Sequence, residues 1–311
     1  MTNKPLISVV IPAYNRSAVI GCALKSVLDQ SFQDFEVLVV DDGSSDNLRE
    51  VIDKIGDCRI RIIRQANGGA NKARNTGIDA AQGKFVALLD SDDNFLPDHL
   101  ESAVAQLKIN PNVIVFAPVI VDRGGGKTFI KPPRGPKKLE PISEYLLSSR
   151  GFIQTSTVVL STKLAKKVRY SEGLRFGQDK DFAIRLASAG CEFLMREHPG
   201  AIWSDVRDPN RISAAYSSKA RMDWLDFIRP QLTTKAYYAD RGWVVAKGLF
   251  SEGKSLQAIK YYLRALTMGC YGPRLSAVIF LQIFFSGRTY RKLADTYVII
   301  SNKLKKGREG K

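Results

Sequence analysis

The sequence predicts an α/β fold: a mostly parallel central sheet flanked by helices, continued by a helical C-terminal extension. Three observations carry this. Short β-branched runs alternate with segments of helical apolar spacing from Leu6 to Ala117. A break rich in Asp, Asn or Gly follows several of those runs. After about Ala215 the strand patterns stop and the apolar spacing turns helical. Strands that alternate with helices of this length imply right-handed βαβ units and a doubly wound sheet.

The elements follow in order. Leu6–Ile11 (LISVVI) reads as the first strand, ended by Pro12. Ser17–Gln30 places Val19, Ile20, Ala23, Leu24, Val27 and Leu28 on one helix face. Phe35–Val40 is a second strand, closed by DDGSSD; Leu48–Ile55 suits a helix and Arg59–Ile63 a third strand. Gly69–Ala81 is a longer helix, Phe85–Leu89 a fourth strand, Pro97–Ile109 a helix with proline at its start, and Val113–Ala117 a fifth strand. Asp122–Leu139, with RGGGK and KPPRGPKK, reads as an extended excursion and not as an element. Thr155–Leu160 returns to strand, Gly177–Gly190 to helix with Asp179 as its cap, and Ala201–Trp203 to a short strand. Trp224–Ala239, Arg241–Phe250, Leu256–Met268 and Leu275–Phe285 are helical candidates. The last is strongly apolar but shorter than the roughly 20 residues that span a bilayer. It suits either a buried core helix or one lying in a membrane interface. The expected domains are 1–215, divided into a ligand-binding half at 1–120 and a second half at 121–215, and a basic helical extension at 216–311.

Composition narrows the function. The net charge of +16 is unevenly placed: residues 216–311 hold 18 Lys and Arg against six acids. Such a bias suits a polyanionic partner or an anionic membrane surface. No basic motif interleaved with aromatics is present, so nucleic acid is not expected as a partner. Cys22, Cys58, Cys191 and Cys270 are scattered without metal-site or redox spacing, and His99 and His198 lie too far apart for a histidine zinc site. No secretory signal is visible at Met1–Ser8, which points to a cytoplasmic protein.

The most informative segment is LLDSDD at Leu88–Asp93. It delivers Asp90, Asp92 and Asp93 at the C-terminal edge of a buried strand, where open α/β sheets bind ligands. Clustered carboxylates there suit Mg²⁺ or Mn²⁺, and through it a diphosphate. Three further segments end predicted strands: PAYNR at Pro12–Arg16, DDGSSD at Asp41–Asp46, and the glycine-containing stretch Asn67–Phe85. Gly68 and Gly69 permit close approach to the start of a helix, whose NH groups attract anions.

In order, spacing and strand placement these segments resemble family 2 glycosyltransferases of the GT-A fold. The match is specific over about Leu6–Asp93 and weaker to about Ala215. The resemblance implies an inverting, metal-dependent glycosyltransferase that moves one sugar from a nucleotide sugar, UDP-linked in the first instance, to an acceptor hydroxyl. It places Pro12, Ala13, Tyr14 and either Asp41 or Asp42 around the base, Arg74 and Asn75 near the donor with Gly77 packing closely, and Asp90 on the ribose or metal. Asp92 binds the cation, with Asp93 supporting it. The general base comes from GQDKDFAIRLA at Gly177–Ala187, where Asp179 aligns with it and Asp181 stays open as an alternative; Gln178 replaces the usual glutamate. Arg211, in DPNRIS, closes over the diphosphate. The signature of processive members is absent, which favours one sugar per visit. The implied acceptor is a glycan or lipid-linked glycan of surface polysaccharide synthesis, met at the inner face of the cytoplasmic membrane. A nucleotidyltransferase, a basic nucleic-acid binder and an inactive scaffold are the competing readings. The first lacks its glycine-rich, basic loop after the opening strand.

Overall fold

The computed structural model describes residues 4–174, 176–205, 217–285 and residue 296. The chain divides into two compact units. The first comprises residues 1–121, 130–136 and 152–205; the second comprises residues 122–129, 137–151 and 206–311. The second unit thus includes residues 122–129 and 137–151, which a boundary at residue 215 assigns to the first.

The first unit is built on a seven-stranded sheet. In chain order its strands are β1 (Ile7–Ala13), β2 (Phe35–Asp41), β3 (Ile60–Arg64), β4 (Phe85–Leu88), β6 (Val113–Phe116), β9 (Val159–Ser161) and β10 (Glu192–Met195). Their spatial order is β10-β6-β9-β4-β1-β2-β3. Only β9 runs antiparallel, to both β4 and β6. Every residue of β1, β2, β4 and β6 is buried, as expected of strands covered on both faces. Helices α1 (Ile20–Leu28), α2 (Leu48–Asp53), α3 (Ala70–Ala80) and α4 (His99–Ile109) follow strands as the periodicity predicts. Gly77 lets α3 close on the sheet: a Cβ there would lie 2.4 Å from Val10 Cγ1.

Strand β1 pairs with β2 in register Ile7↔Phe35 and with β4 in register Ile7↔Phe85. The chain builds β2 and β3 to one side of β1, then returns to lay β4 on the other. The loops leaving β1 and β4 therefore diverge, and a crevice opens between them at their carboxyl ends.

A second sheet has the order β5-β11-β7-β8, from β5 (Asn94–Phe95), β7 (Val119–Asp122), β8 (Thr128–Lys131) and β11 (Ala201–Ser204). Strand β5 follows the acidic run directly and pairs with β11 through Ala201↔Phe95. Strand β8 corrects the reading of Asp122–Leu139 as an excursion without elements. Gly124, Gly125 and Gly126 all take positive φ, and Asp122 Oδ1 accepts the Gly124 amide at 2.8 Å. The glycine run is a turn, not slack.

Two other expectations need adjustment. Thr155–Thr157 is a 3₁₀ turn, and the strand begins only at Val159. Thr157 bonds back to the Gln154 carbonyl through both its amide and its hydroxyl, which competes with a ladder. Helix α7 (Gln178–Ser188) is entered through Gly177 in the left-handed conformation, and Asp179 is not its cap.

The second unit holds α5 (Ile142–Ser148), α8 (Ser218–Phe227), α9 (Thr234–Asp240), α10 (Ala246–Ser251), α11 (Ser255–Thr267) and α12 (Pro273–Phe284); α6 (Thr162–Val168) belongs to the first. Trp224–Ala239 is not one helix. A 3₁₀ turn at Arg229–Gln231 carries Pro230, and Thr233 caps α9 by accepting the Ala236 amide. A buried bidentate pair joins Arg221 and Asp240 at 2.7 Å. Helix α12 buries Ile279 and Ile283 and leaves Phe280 and Leu281 exposed. Among the described residues no helix is long and apolar enough to cross a membrane.

Candidate active site

The crevice between β1 and β4 is lined first by the loop after β1. Pro12 and Ala13 are buried ends of the strand, and Tyr14 is half exposed beyond them. Asn15 has φ 50°, a left-handed conformation that asparagine tolerates. Its amide N–H donates to Ser44 Oγ at 3.0 Å, and its Oδ1 accepts the Ser45 amide at 2.8 Å. Asp46 accepts the Ser17 amide at 2.8 Å. The loops after β1 and β2 are thus laced into one wall.

Asp41 and Asp42 are both buried in that wall but face different partners. Asp41 accepts the Ser44 amide at 2.8 Å and Arg64 Nη1 at 2.9 Å, so it fastens the turn. Asp42 accepts Gln65 Nε2 at 2.7 Å and the amides of Gly68 and Gly69 at 2.9 and 2.8 Å. It holds the loop that opens α3, where Gly69 has φ 88°. A carboxylate offers about four acceptor sites, so Asp42 keeps capacity for a donor hydrogen after these three.

Helix α3 then aims Arg74 inward. The guanidinium is buried and lies 5.1 Å over the Tyr170 ring. It donates through Nη2 to Asp90 Oδ1 at 2.6 Å and through Nη1 to Asn71 Oδ1 at 3.2 Å. Its Nε is buried without a partner. Burial opposes its charge, but the carboxylates of Asp90 and Asp179 and the Tyr170 hydroxyl more than offset this and hold it firmly protonated. Asn75 has a different task from the one expected. Its Nδ2 donates to the Tyr170 carbonyl and to Glu172 Oε1, both at 3.0 Å, and its Oδ1 accepts the Tyr170 amide at 2.8 Å. Asn71 similarly donates to the Ser171 carbonyl at 2.7 Å. Both amides clasp the segment that leads to α7.

The three acids of the DSDD run separate. Asp90 and Asp92 are partly exposed, whereas Asp93 is buried and turned inward. Ser156 Oγ and Gln154 Nε2 donate to Asp93 Oδ2 at 2.6 and 3.2 Å, and the Ser204 amide donates to Oδ1 at 3.2 Å. Burial first, then the neighbouring charges of Asp90 and Asp92, push the Asp93 carboxyl up to about 8. Asp93 is therefore a tie between segments and not an open ligand. Among the described residues no three Asp, Glu, His or Cys side chains converge in a way that would hold a metal by themselves. A divalent cation bound through one or two carboxylates and substrate phosphates needs less than that, and Asp90 with Asp92 matches this donor set.

Asp179 stands in the first turn of α7, partly exposed, close enough to Asp90 and Arg74 to feel both charges. Thr155 Oγ1 donates to its Oδ1. Burial, followed by the charge of Asp90, raises its pKa, with Arg74 and Thr155 pulling the other way. Asp181, the open alternative, is buried and engaged: it accepts Ser171 Oγ at 2.8 Å and Arg185 Nε at 2.9 Å. Arg211 lies outside the described residues. Sequence reasoning missed Thr155 and Ser156, because TSTVVL scans as one strand, although its clustered hydroxyls were an available signal; it missed Tyr170 because that residue lies between the expected elements.

With this geometry in view, the comparisons with known proteins decide the family. The model of "Glycosyl transferase family 2" matches residues 8–168. The chain belongs to that family. It is a glycosyltransferase, which displaces the nucleotidyltransferase and scaffold readings. It is 33% identical over 269 residues to the amylovoran biosynthesis glycosyltransferase AmsB of Erwinia amylovora, covering 83% of this chain and 89% of that one. It is 33% identical over 193 residues to the succinoglycan biosynthesis protein ExoW of Rhizobium meliloti, over 56% of this chain and 60% of that one. Among solved structures, residues 1–349 of S. aureus TarS in complex with UDP-GlcNAc superpose with TM-score 0.65 at 20% identity, over 94% of this chain and 91% of that one. The mannosyltransferase PcManGT of Pyrobaculum calidifontis, in complex with GDP-Man and Mn²⁺, gives TM-score 0.58 at 17% identity, over 96% and 86%. These two likenesses establish the GT-A fold of the family 2 chain.

Proposed function

We propose that this family 2 glycosyltransferase moves one sugar from a nucleotide diphosphate sugar to an acceptor hydroxyl with inversion at the anomeric carbon. The observation that carries the reading is the Asp90–Arg74–Asp179 group. It brings a base candidate from a late helix within electrostatic reach of the acidic edge of β4, where one buried guanidinium bonds Asp90 and also acts on Asp179. Asp179 takes the proton of the attacking hydroxyl. Its raised pKa suits that task, since a base works best when its pKa lies near the operating pH. Thr155 orients the carboxylate. Asp42 and the half-exposed Tyr14 line the wall that receives the base and ribose. Asp90 and Asp92 would hold Mg²⁺ or Mn²⁺, which when bound neutralises charge on the departing diphosphate.

A UDP-linked donor is favoured by the TarS likeness. An exopolysaccharide acceptor is favoured by the names of AmsB and ExoW. The acceptor in this reading is a lipid-linked glycan at the inner face of the cytoplasmic membrane. Leu256, Ile259 and Leu263 form an exposed stripe on α11, and Phe280 and Leu281 are exposed on α12, in the most basic part of the chain. That combination suits an anionic bilayer surface.

The test is a transfer and hydrolysis assay with UDP-glucose, UDP-galactose, UDP-GlcNAc and GDP-mannose, with and without Mn²⁺. Proton NMR reads the anomer formed. Metal-stimulated release of nucleoside diphosphate and an inverted product are expected. No turnover of any donor, or a retained anomer, refutes the proposal.

A further inference from the structure

Phe152 and Trp203 form an aromatic shelf beside the acidic edge that no part of the donor chemistry uses. Their ring centroids lie 5.3 Å apart with planes inclined by 31°, and both rings are partly exposed. Lys131 Nζ lies 3.8 Å from the Phe152 centroid and 5.7 Å from that of Trp203. The contrast with the buried Tyr170–Phe182 stack, whose rings are 4.1 Å apart and nearly parallel, is informative. That pair is core. The shelf is not.

The shelf is registered to the site through a single carboxyl. Ser204, next to Trp203, donates its amide to Asp93 Oδ1; Gln154, two residues from Phe152, donates its side chain to Oδ2. Asp93 in turn adjoins Asp92. The run from Phe152 leads on to Thr155, which bonds Asp179. At about 3.3 Å per extended residue, the shelf begins roughly 10 Å from the Thr155 backbone. That span suits the sugar ring carrying the attacking hydroxyl, or the ring behind it.

We propose that Phe152 and Trp203 are the acceptor-saccharide subsite, and that the ligand class is a pyranose docked face-on against the ring faces that Lys131, which stands over Phe152, leaves open. A pyranose ring presents axial C–H groups on one face and hydroxyls at its rim. Such a ligand buries an apolar face against an aromatic ring while its rim stays hydrated, the use to which partly exposed aromatic rings are well suited. The proposal rests on the reading of Asp179 as the transferring side of the cleft.

Saturation-transfer NMR on the full chain, with lactose, cellobiose and maltose as probes, tests it. Wild type and W203F are expected to saturate the ring protons of at least one probe. W203A and F152A are expected to bind it roughly tenfold more weakly, from the loss of an aromatic contact. Calorimetry of UDP with Mn²⁺ on the wild type reports separately on the donor reading. A wild type that binds UDP but none of the disaccharides overturns the subsite, as does W203A binding equal to wild type. Saccharide binding without UDP binding upholds the shelf and sinks the donor reading. Should W203A fail to fold, F152L decides by the same criterion.

Discussion

Thr155→Val probes the base with almost no change of shape. The wild-type hydroxyl donates to Asp179, and this bond lowers a carboxyl pKa that burial and Asp90 raise. A hydrogen bond to a charged group contributes about 1.5–3 kcal/mol, which corresponds to roughly one to two pH units. The sign follows from the role: the base acts when deprotonated, so kcat/KM rises with pH through the Asp179 pKa. Without the hydroxyl, the carboxylate is less favoured and the acid limb moves to higher pH by about one unit. The plateau above it should be nearly retained, because the carboxylate is still present. Asp179→Asn, by contrast, should lower the plateau by roughly 10²–10⁴-fold, the usual contribution of a positioned base, while UDP binding survives. The assay is kcat/KM for transfer between about pH 4.5 and 9 at constant ionic strength. An acid limb in Thr155→Val at or below that of wild type refutes the assignment of Asp179 as the base.

Other outcomes follow from the same geometry. Asp92→Ala should abolish the Mn²⁺ dependence of UDP binding in calorimetry, whereas unchanged dependence would move the cation elsewhere. Gly77→Ala places a methyl 2.4 Å from Val10 Cγ1 and 3.2 Å from Val40 Cγ2; overpacking of this kind costs about 1–3 kcal/mol and should appear as a lower melting temperature. His99 is buried, and burial followed by the Arg196 charge lowers its pKa to about 3. The unfolded chain therefore binds a proton that the folded one refuses between roughly pH 6.5 and 3. About 4–5 kcal/mol of stability is lost across that window as pH falls, and His99→Leu should flatten the slope in urea melts. Sedimentation with vesicles should show binding to anionic but not zwitterionic lipid, weakened by salt; equal binding to both would refute the electrostatic reading.

The sheet was legible because its strands are buried on both faces. Runs such as FEVLVV and VVIP need no alternation to be recognised, and Gly or Asp clusters punctuate them. The acidic edge was legible for the same reason, since a strand's end is where its apolar run stops. What stayed hidden depends on side chains meeting across long sequence gaps. Nothing local distinguishes Asp93 from Asp92, yet one is sequestered by Ser156, Gln154 and Ser204 and the other is partly exposed. The family resemblance places Asn75 near the donor, and only the return of Tyr170 to α3 shows that its amide is occupied. Asp181 resembled Asp179 until Arg185, one turn on, and Ser171 were seen to hold it.

The clasp of Asn71 and Asn75 on the Tyr170–Leu174 segment has a consequence for precision. In the proposed mechanism, the same helix that carries Arg74 toward the leaving side of the reaction also grips the strap leading to the proton-accepting side. Both halves of the chemistry ride on a common chassis, so thermal drift of α3 carries them together. The spacing between them is left to a few side-chain torsions, and loops elsewhere are free to diverge without detuning it.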